Sequence, residues 1–470
     1  MARGRAEGDH PKGSVKYQQL PSASSLSVEA PEEVGATAGS ADAKKGTLQL
    51  MLSFATQVYL PSILVFGCSG MVLPVLPDYA REVFFANDAY SGAVMSCLSL
   101  AGVLLDIPMA SFLSSYGADL TGIFSGAMLV LSGIAAALAP TIWVLGVSRF
   151  LHGCAHTSWL TSRTFIFSSK LYESNRGRLI SLLGGIQRVS NFFMPLLGSF
   201  VSLRAGYTSA FVLVSVFGAL VVPFQLAHYL RRKHGAKGEE KGSQGGEEEE
   251  VEVVGQGTLL LEIIKDNWPE LMLTGGPCLV LNMLRQARDF LFALAGLDAG
   301  FDQLHVGQII ATMYLSDFIC FPVSGIMIDR LGRKYSLVSS LSLISLGCLL
   351  LAFTSGSKVL IFLFASMAGA GSGVGAGIAM CYAGDLANLA VKRCNRTRHA
   401  DESKGEKRVK ALYLGLFRCG QDFGQMVGPL FVGILAKTES LKLSALGIGL
   451  IGLSAAFFAA AYAKETRAKG

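Results

Sequence analysis

The sequence predicts an all-α membrane protein with twelve transmembrane helices arranged as two pseudo-symmetric six-helix bundles. Of its 470 residues, 51% are hydrophobic and only 16% are charged, whereas soluble domains carry about 25% charged residues. Outside three polar stretches, the chain is long enough for twelve helices, because one bilayer crossing needs about 20 apolar residues. This composition argues against a soluble enzyme, a nucleic-acid-binding protein and a secreted disulfide scaffold.

Twelve apolar segments fall into two blocks of nearly equal length. Two matching six-helix blocks are typical of secondary transporters built from internal repeats. The segments are 56–78, 91–116, 121–139, 142–168, 179–202, 208–229, 269–295, 304–328, 335–354, 358–384, 411–435 and 442–463. We assign a disordered cytosolic tail to 1–55, an N-terminal bundle to 56–229, a cytosolic linker to 230–267, a C-terminal bundle to 268–463 and a cytosolic C-terminus to 464–470.

The lysines and arginines predict the orientation of the helices. If the tail, the linker and the C-terminus lie inside, 29 of the 40 basic residues lie on the inner side and 5 on the outer side. Cytosolic loops carry such an excess of positive charge. We expect both termini in the cytosol and a multi-pass protein of the plasma membrane or an organelle membrane. The 230–267 linker and a basic insertion at 391–410 are expected to be solvated, with partner binding and contact with anionic lipid as the respective alternatives.

A compact basic turn follows the eighth segment. Asp329 ends a helix at the membrane surface, where it could pair with Arg333, and Gly332 permits a tight turn into the ninth segment. Gly325 would let two helices approach closely. The full pattern comprises Gly325, Asp329, Arg330, Gly332, Arg333 and Lys334.

This turn resembles the G-x3-D-R-x-G-R-K signature of the major facilitator superfamily. A second, weaker resemblance is to the drug:proton antiporter branch of that family, through Pro74 to Asp78 in segment one and Arg149, His152 and Gly153 in segment four.

The corresponding turn of the first half keeps only Gly117 and has no basic residue. We therefore hypothesise that a charge latch joins Asp329 and Arg333 to Glu173 and Arg176, on the cytosolic side.

The resemblance implies a proton-coupled secondary transporter that moves a small organic solute by alternating access, with efflux favoured over uptake. Its expected partners are that solute, protons and membrane lipids, and we expect a monomer without nucleic acid, cofactor or metal. The motifs HExxH and GxSxG are absent, so we do not expect an enzyme. The alternative is a non-transporting receptor or scaffold protein on a transporter fold, which would bind ligands without solute flux.

Ionisable residues inside the apolar segments are the candidate site residues, because a charge in the bilayer is costly without a partner or a function. The excess of arginine over aspartate favours a substrate with a carboxylate or phosphate group. The candidates for proton coupling are Asp317, Asp106, Asp289 and Asp422. The candidates for the substrate cavity are Arg188, Arg285, Arg288, Arg418, Arg149 and His152.

Helical spacing predicts two local ion pairs. Arg285 and Asp289 are four residues apart, as are Arg418 and Asp422, so each pair could neutralise itself on one helix face. Each pair could equally form a substrate-anion or proton site.

The remaining candidates allow two readings each. Asp106 could carry a proton or pair with Arg149. Asp317 has no partner in sequence, so we rank it first as a proton carrier, with a hydrogen bond to a neighbouring helix as the alternative. His152 and His156 share one face and could titrate or only pack, and a metal site is disfavoured because no third ligand is near.

Glycines in segment ten recur at Gly369, Gly373 and Gly377. This stripe predicts close helix packing, and a hinge for alternating access is the alternative.

Overall fold

The computed structural model describes residues 54–170, 173–239, 256–354, 356–397, 402–438, 440–463 and 465, and every regular element in these ranges is a helix. Seven helical stretches are long and apolar enough to cross a membrane by length and composition. One of them, Asp88–Ala137, is divided at Gly117 and supplies two spans. Four further helices that carry arginines complete the twelve spans that the sequence predicts.

We number the spans one to twelve in chain order. Spans one to six are Leu60–Phe84 after a π-helical turn at Ala55–Tyr59, the two parts of Asp88–Ala137, Ile142–Lys170, Glu173–Ala205 and Tyr207–Glu239. Span seven is Gly276–Asp298, preceded by Gln256–Glu270 and a π-helical turn at Leu271–Gly275. Spans eight to twelve are Gln303–Arg330, Arg333–Leu351, the pair Lys358–Val374 and Ile378–Thr397, Glu402–Thr438 and Leu441–Tyr462.

Equivalent glycines make the turns between spans two and three and between spans eight and nine. Gly117 has φ 78° and ψ 169°, and Gly332 has φ 104° and ψ 166°. Residues with a Cβ avoid this region of backbone conformation. The predicted role of Gly332 in a tight turn is therefore confirmed, and Gly117 makes the same turn in the first half.

Span ten is broken within the segment 358–384, which the sequence predicts as one continuous helix. Its two helices meet at Gly375–Gly377, where Gly377 has φ 80°. The stripe glycines before the break pack closely, because a Cβ on Gly369 or Gly373 would collide with the backbone of span eight. Close packing and a helix break thus occur together in span ten, at different glycines.

The two halves contact each other along spans two and eleven and along spans five and eight. A Cβ on Gly92 would collide with the carbonyl oxygen of Pro429, and one on Gly307 would collide with Ser199. Both contacts lie near the end that carries the loops 85–87 and 299–302, which we call the short-loop end. An ion pair of 2.8 Å between Arg81 and Asp298 also joins spans one and seven there. The halves are therefore packed together at the short-loop end.

Helices extend further into the polar regions than the sequence predicts. Span six continues to Glu239 and a helix begins at Gln256, within the predicted 230–267 linker. Span ten continues to Thr397 and span eleven begins at Glu402, so the predicted 391–410 insertion is largely helical. The helical extensions carry too many charged residues to be recognised as apolar segments, although their backbone remains helical. The predicted tail at 1–55 lies outside the described residues, except for its last two.

Candidate functional site

An ion pair between the two halves lies where spans two and eleven meet. Arg418 Nη2 is 2.9 Å from Asp106 Oδ1, and Asp106 is buried. The carboxyl of Asp422 is close enough to interact directly with that of Asp106. The alternative in which Asp106 pairs with Arg149 is therefore wrong. Arg418 attracts Asp422 on its own helix, as the spacing predicts, and also forms an ion pair with Asp106 across the helix interface.

A second ion pair between the halves lies where spans five and eight meet. Arg188 Nε is 3.1 Å from Asp317 Oδ1, and Arg288 Nη2 of span seven is 3.9 Å from Asp317 Oδ2. Asp317 is thus held between two arginines from different spans. The sequence shows no partner for Asp317, because both arginines are distant along the chain.

Internal symmetry relates the Asp317–Arg188 pair to a contact at the other interface between the halves. Gly102 and Asp317 are 215 residues apart, the same separation as the two turn glycines, and Arg188 and Asp422 are 234 apart. Asp422 lies directly against Gly102, as Arg188 lies against Asp317. The same two positions therefore meet at both interfaces between the halves, with different side chains.

The Asp106–Arg418 pair has a symmetry partner as well. Phe321 follows Asp106 by 215 residues and Gly184 precedes Arg418 by 234, and Gly184 faces the ring of Phe321. The guanidinium of Arg188 stacks on that ring at 3.9 Å. Each interface therefore holds one arginine: Arg188 of span five lies against span eight, and Arg418 of span eleven lies against span two. The two arginines are four residues from symmetric equivalence, which is about one helical turn.

Span four carries two buried polar residues that contact each other. Arg149 is 5% exposed, and its Nη1 is 3.2 Å from Nδ1 of His152. Because a guanidinium only donates, Nδ1 must accept, so Nε2 carries the hydrogen and donates to Ser69 Oγ at 3.0 Å. His152 is thereby held as one tautomer between spans four and one.

Further along span four, His156 and Arg163 share one aromatic ring. Phe66 of span one contacts the ring of His156 edge-on at 4.7 Å, and the Arg163 guanidinium lies 4.1 Å from its centroid. Arg163 Nη1 also donates to Gln187 Oε1 of span five at 3.3 Å. Arg163 was not among the predicted cavity residues, and it has no carboxylate partner among the described residues.

Span seven contributes a buried charge pair that differs from the predicted one. Arg288 Nε lies 3.3 Å from Asp289 Oδ1, and Arg288 Nη1 donates to the Ala368 carbonyl at 2.6 Å. The hydroxyl of Tyr314 donates to Asp289 Oδ2 at 2.8 Å. Asp289 is therefore paired with its neighbour Arg288, and the expected pairing with Arg285 is wrong.

Arg285 instead binds the break in span ten. Its Nη2 donates to the carbonyl oxygens of Ser372 at 3.3 Å and Gly375 at 2.9 Å. A helix break leaves carbonyl groups without helical partners, and Ser336 and Ser324 satisfy two more, on Val374 and Ala376. Arg285 thus has a structural contact that its spacing from Asp289 did not indicate.

The basic turn after span eight is tied to other parts of the second half. Arg333 forms an ion pair with Asp385 of span ten. Glu465 accepts from the backbone N–H groups of Arg333 and Lys334 at 3.0 and 3.1 Å, and so caps span nine. The expected pairing of Arg333 with Asp329 is therefore replaced by one with Asp385.

Two further expectations about this turn have different outcomes. Among the described residues, no atom lies within 4 Å of a Cβ built on Gly325, so its expected role in close helix packing is not seen there. The side chains of Glu173 and Arg176 lie outside the described residues, so the latch that includes them stays a hypothesis.

Glu270 and Arg393 form a pair at the end opposite the short loops. Arg393 donates to both carboxylate oxygens of Glu270, at 2.9 and 2.6 Å, and Glu270 is only 4% exposed. The helical extension of span ten brings Arg393 over it and buries it.

Several uncharged partners of these charges carry no signal in the sequence. Tyr314, Phe66, Phe321 and Gln187 are ordinary residues of apolar helices. The spacing of Tyr314 three residues before Asp317 places both on one face of span eight. The importance of the others becomes visible only from their contacts.

The family model described as Major Facilitator Superfamily matches residues 58–387 and 278–470 of the chain. Multidrug resistance protein MdtG of Proteus mirabilis (strain HI4320) is 25% identical over 181 residues, which are 36% of this chain and 42% of the relative. Inner membrane transport protein YajR of Escherichia coli (strain K12) is 23% identical over 172 residues, 35% of this chain and 37% of the relative. The match thus spans about two-fifths of the length of these relatives.

Solved structures share the fold over nearly their whole length. The nucleoside transporter NupG superposes with a TM-score of 0.64 at 16% identity, covering 87% of this chain and 98% of that chain. The xylose transporter XylE from E. coli, in an inward open conformation, gives a TM-score of 0.63 at 13% identity and covers 88% and 97%. Identities this low support a common fold of two six-helix bundles, and not a common substrate.

Proposed function

Because the chain belongs to the Major Facilitator Superfamily, we propose that it is a secondary active transporter that moves a small organic solute across a membrane by alternating access. Proton coupling and export are the finer parts of this proposal. The bilayer-spanning helices and the family membership support a multi-pass membrane protein. The excess of lysine and arginine lies at the helix ends opposite the short-loop end, and this supports cytosolic termini.

The observation that carries the proposal is that two ion pairs join the halves, Asp106–Arg418 and Asp317–Arg188. Alternating access requires one half to rock against the other around a fixed site. A bound solute or proton that competes for either pair changes the attraction between the halves. These four residues therefore link occupancy of the site to the relative position of the halves.

Proton coupling is supported by the neighbouring carboxyls of Asp106 and Asp422, which face a single arginine, Arg418. Two neighbouring carboxyls titrate as a unit, and one proton between them removes their mutual repulsion. Loss of that proton would strengthen the attraction to Arg418. Intramembrane carboxyls of this kind are the usual components of proton relays.

Export is supported by the relatives, which carry the name Multidrug resistance protein. It is also supported by the packing of the halves at the short-loop end, which the charge distribution assigns to the outside. In this conformation a solute would enter from the cytosolic side. A proton gradient directed inward would then drive the return step.

The test is solute flux into or out of proteoliposomes under an imposed pH gradient. We expect flux that depends on the gradient, and we expect Asp106→Asn to abolish that dependence. Asp302→Asn is the matched control, because it removes a carboxylate in a loop and keeps the helix cap that Asp302 forms. Equal gradient dependence in both variants would contradict proton coupling through Asp106. Ligand binding without flux of any solute would favour the receptor alternative.

A further inference from the structure

We propose that the solute is an organic anion, whose carboxylate or phosphate group is bound between Arg163 of span four and Arg418 of span eleven. This inference rests on the proposed function, because it names the substrate class of the transporter proposed above. It also adds a residue, Arg163, that the candidate list did not contain.

The first observation is the imbalance of charge inside the protein. Six arginines and four aspartates lie within the spans. In the second half, each arginine of span seven has partners, since Arg288 pairs with Asp289 and Arg285 binds carbonyl groups. Besides Arg285, those of the six arginines without a carboxylate partner among the described residues are Arg149 and Arg163, both on span four.

Arg163 has the environment of a ligand-binding arginine. Its described partners are the amide oxygen of Gln187 and the ring face of Phe66, both of which leave its charge uncompensated. Phe66 supports the guanidinium from one side by a cation–π contact. Two of the three guanidinium nitrogens, Nε and Nη2, have no described partner, so donors remain for a carboxylate or phosphate.

Arg418 approaches span four from the opposite half of the protein. It binds Asp106 at 2.9 Å, and three residues further along span two Met109 accepts a hydrogen bond from Ser158 of span four at 3.1 Å. The charges of Arg418, Arg163 and Arg149 all act on His156. Arg418 faces the carboxyls of Asp106 and Asp422, and 31% of its side chain is exposed. Three arginines are thus set against two carboxyls, so positive charge remains in excess around His156 even when both carboxyls are ionised.

Burial makes this imbalance costly without an anion. Arg149 is 95% buried and its Nε has no hydrogen-bond partner among the described residues. Buried charges in proteins are normally paired. An anionic solute would supply the missing charge, whereas a cation would be repelled by all three guanidiniums. An anion between Arg163 and Arg418 would also bridge the two halves, as alternating access requires.

The test uses three probes of nearly equal size and different charge: benzoate, benzyl alcohol and benzylamine, with phenyl phosphate as a second anion. Binding to the purified full-length protein is measured as thermal stabilisation over a range of probe concentrations. We expect both anions to stabilise the protein and the neutral and cationic probes to have no effect. We expect Arg163→Gln to raise the apparent Kd for anions about tenfold or more, since a charge-assisted hydrogen bond is lost.

Two further variants serve as controls. Arg163→Lys keeps the charge and should retain part of the affinity, which shows that a weakened Arg163→Gln protein is not simply misfolded. Arg204→Gln removes one arginine at the short-loop end, outside the cavity, and should bind anions like the unmodified protein. Anion affinity that is the same in Arg163→Gln and Arg204→Gln overturns the proposal, and so does tighter binding of benzylamine.

Flux measurements separate this inference from the proposed function. Anion binding that requires Arg163, without flux of any solute, would uphold the anion site and contradict transport. Flux restricted to neutral or cationic solutes would uphold transport and contradict the anion site. Competition of benzoate by phosphatidylglycerol in nanodiscs, absent with phosphatidylcholine, would assign the site to a lipid headgroup and overturn the proposal of a small solute.

Discussion

Asp317 of span eight lies 3.1 Å from Arg188 of span five, and the positions equivalent to these two residues by internal symmetry, Gly102 and Asp422, also lie against each other. The repeat has therefore preserved the contact and changed its chemistry. The interface of spans five and eight places an arginine against an aspartate, and the interface of spans two and eleven places an aspartate against a glycine. Such divergence of two repeats is how a symmetric scaffold gains an asymmetric binding site.

The first prediction concerns the ion pair between Asp106 and Arg418. Asp106→Asn should destabilise the protein, because it removes the carboxylate that forms the ion pair with Arg418 across the two halves. Arg418→Gln in addition should reverse part of this loss, with a coupling energy of about 1–3 kcal/mol in a double-mutant cycle. The measurement is thermal unfolding of the four proteins in one detergent. Strictly additive losses would show that the 2.9 Å contact contributes nothing to stability.

The second prediction compares two glycines of the basic turn. Gly332→Ala should cost about 1–3 kcal/mol, because alanine is strained at φ 104°. Gly325→Ala should be tolerated, because Gly325 is helical and its Cβ would contact nothing. Thermal unfolding of both variants checks the pair. A larger loss for Gly325→Ala would mean that a partner outside the described residues packs on it.

The third prediction concerns the break in span ten. Arg285→Gln should cost about 1–3 kcal/mol, since the carbonyl groups of Ser372 and Gly375 lose a donor in a buried place. Ser336→Ala removes the hydrogen bond that the Ser336 hydroxyl donates to the Val374 carbonyl at the same break, and should cost about 1 kcal/mol. Hydrogen exchange of the peptide that contains 372–378 should increase more in Arg285→Gln. No change in that peptide would contradict a role of Arg285 at the break.

The fourth prediction is a pH dependence at the start of span eight. The backbone and side chain of His305 donate to Asp302, and these hydrogen bonds lower the pKa of the Asp302 carboxyl. A carboxyl whose pKa is lowered by folding stabilises the protein above its unfolded pKa, and this stabilisation is lost as pH falls through the lowered value. Asp302→Ala should therefore cost about 1 kcal/mol at pH 7, and less and less below about pH 4.

The control for the fourth prediction is the equivalent cap of span two. The side chain of Asn87 accepts from the backbone N–H of Tyr90 at 3.2 Å and does not titrate. Asn87→Ala should cost a similar amount at every pH. The check is the difference in melting temperature between each variant and the unmodified protein from pH 7 to pH 3. A parallel pH profile for both variants would contradict the assigned role of the Asp302 carboxylate.

The fifth prediction concerns the closure of the short-loop end. Arg81 pairs with both Asp88 and Asp298, at 2.8 Å each, and so joins span one to spans two and seven. Arg81→Gln should weaken this closure and speed hydrogen exchange in the peptides around 85–92 and 298–306. Arg204→Gln, at the same end and without an ion pair among the described residues, should leave these peptides unchanged. Equal effects of both variants would show that general charge loss, and not the Arg81 pairs, controls exchange.

The sequence by itself determined the features that depend on local chemistry. Apolar runs of sufficient length predicted the twelve spans, because each helix satisfies its own backbone hydrogen bonds in lipid. The turn at Gly332 was also predictable, since a positive φ is a property of one residue and its neighbours. The resemblance carried by that turn likewise indicated the family that the family model matches.

Only the tertiary structure decided which charges meet. Spacing along one helix predicted that Arg285 would pair with Asp289 and Arg418 with Asp422, yet Arg285 binds a helix break and Arg418 also pairs with Asp106, 312 residues away. Local spacing brings two side chains within reach, but the partner with better geometry can come from any helix that packs nearby. In the bilayer interior, water competes weakly for charged side chains, so each charge pairs with the nearest protein group. Which group is nearest depends on how the two halves pack.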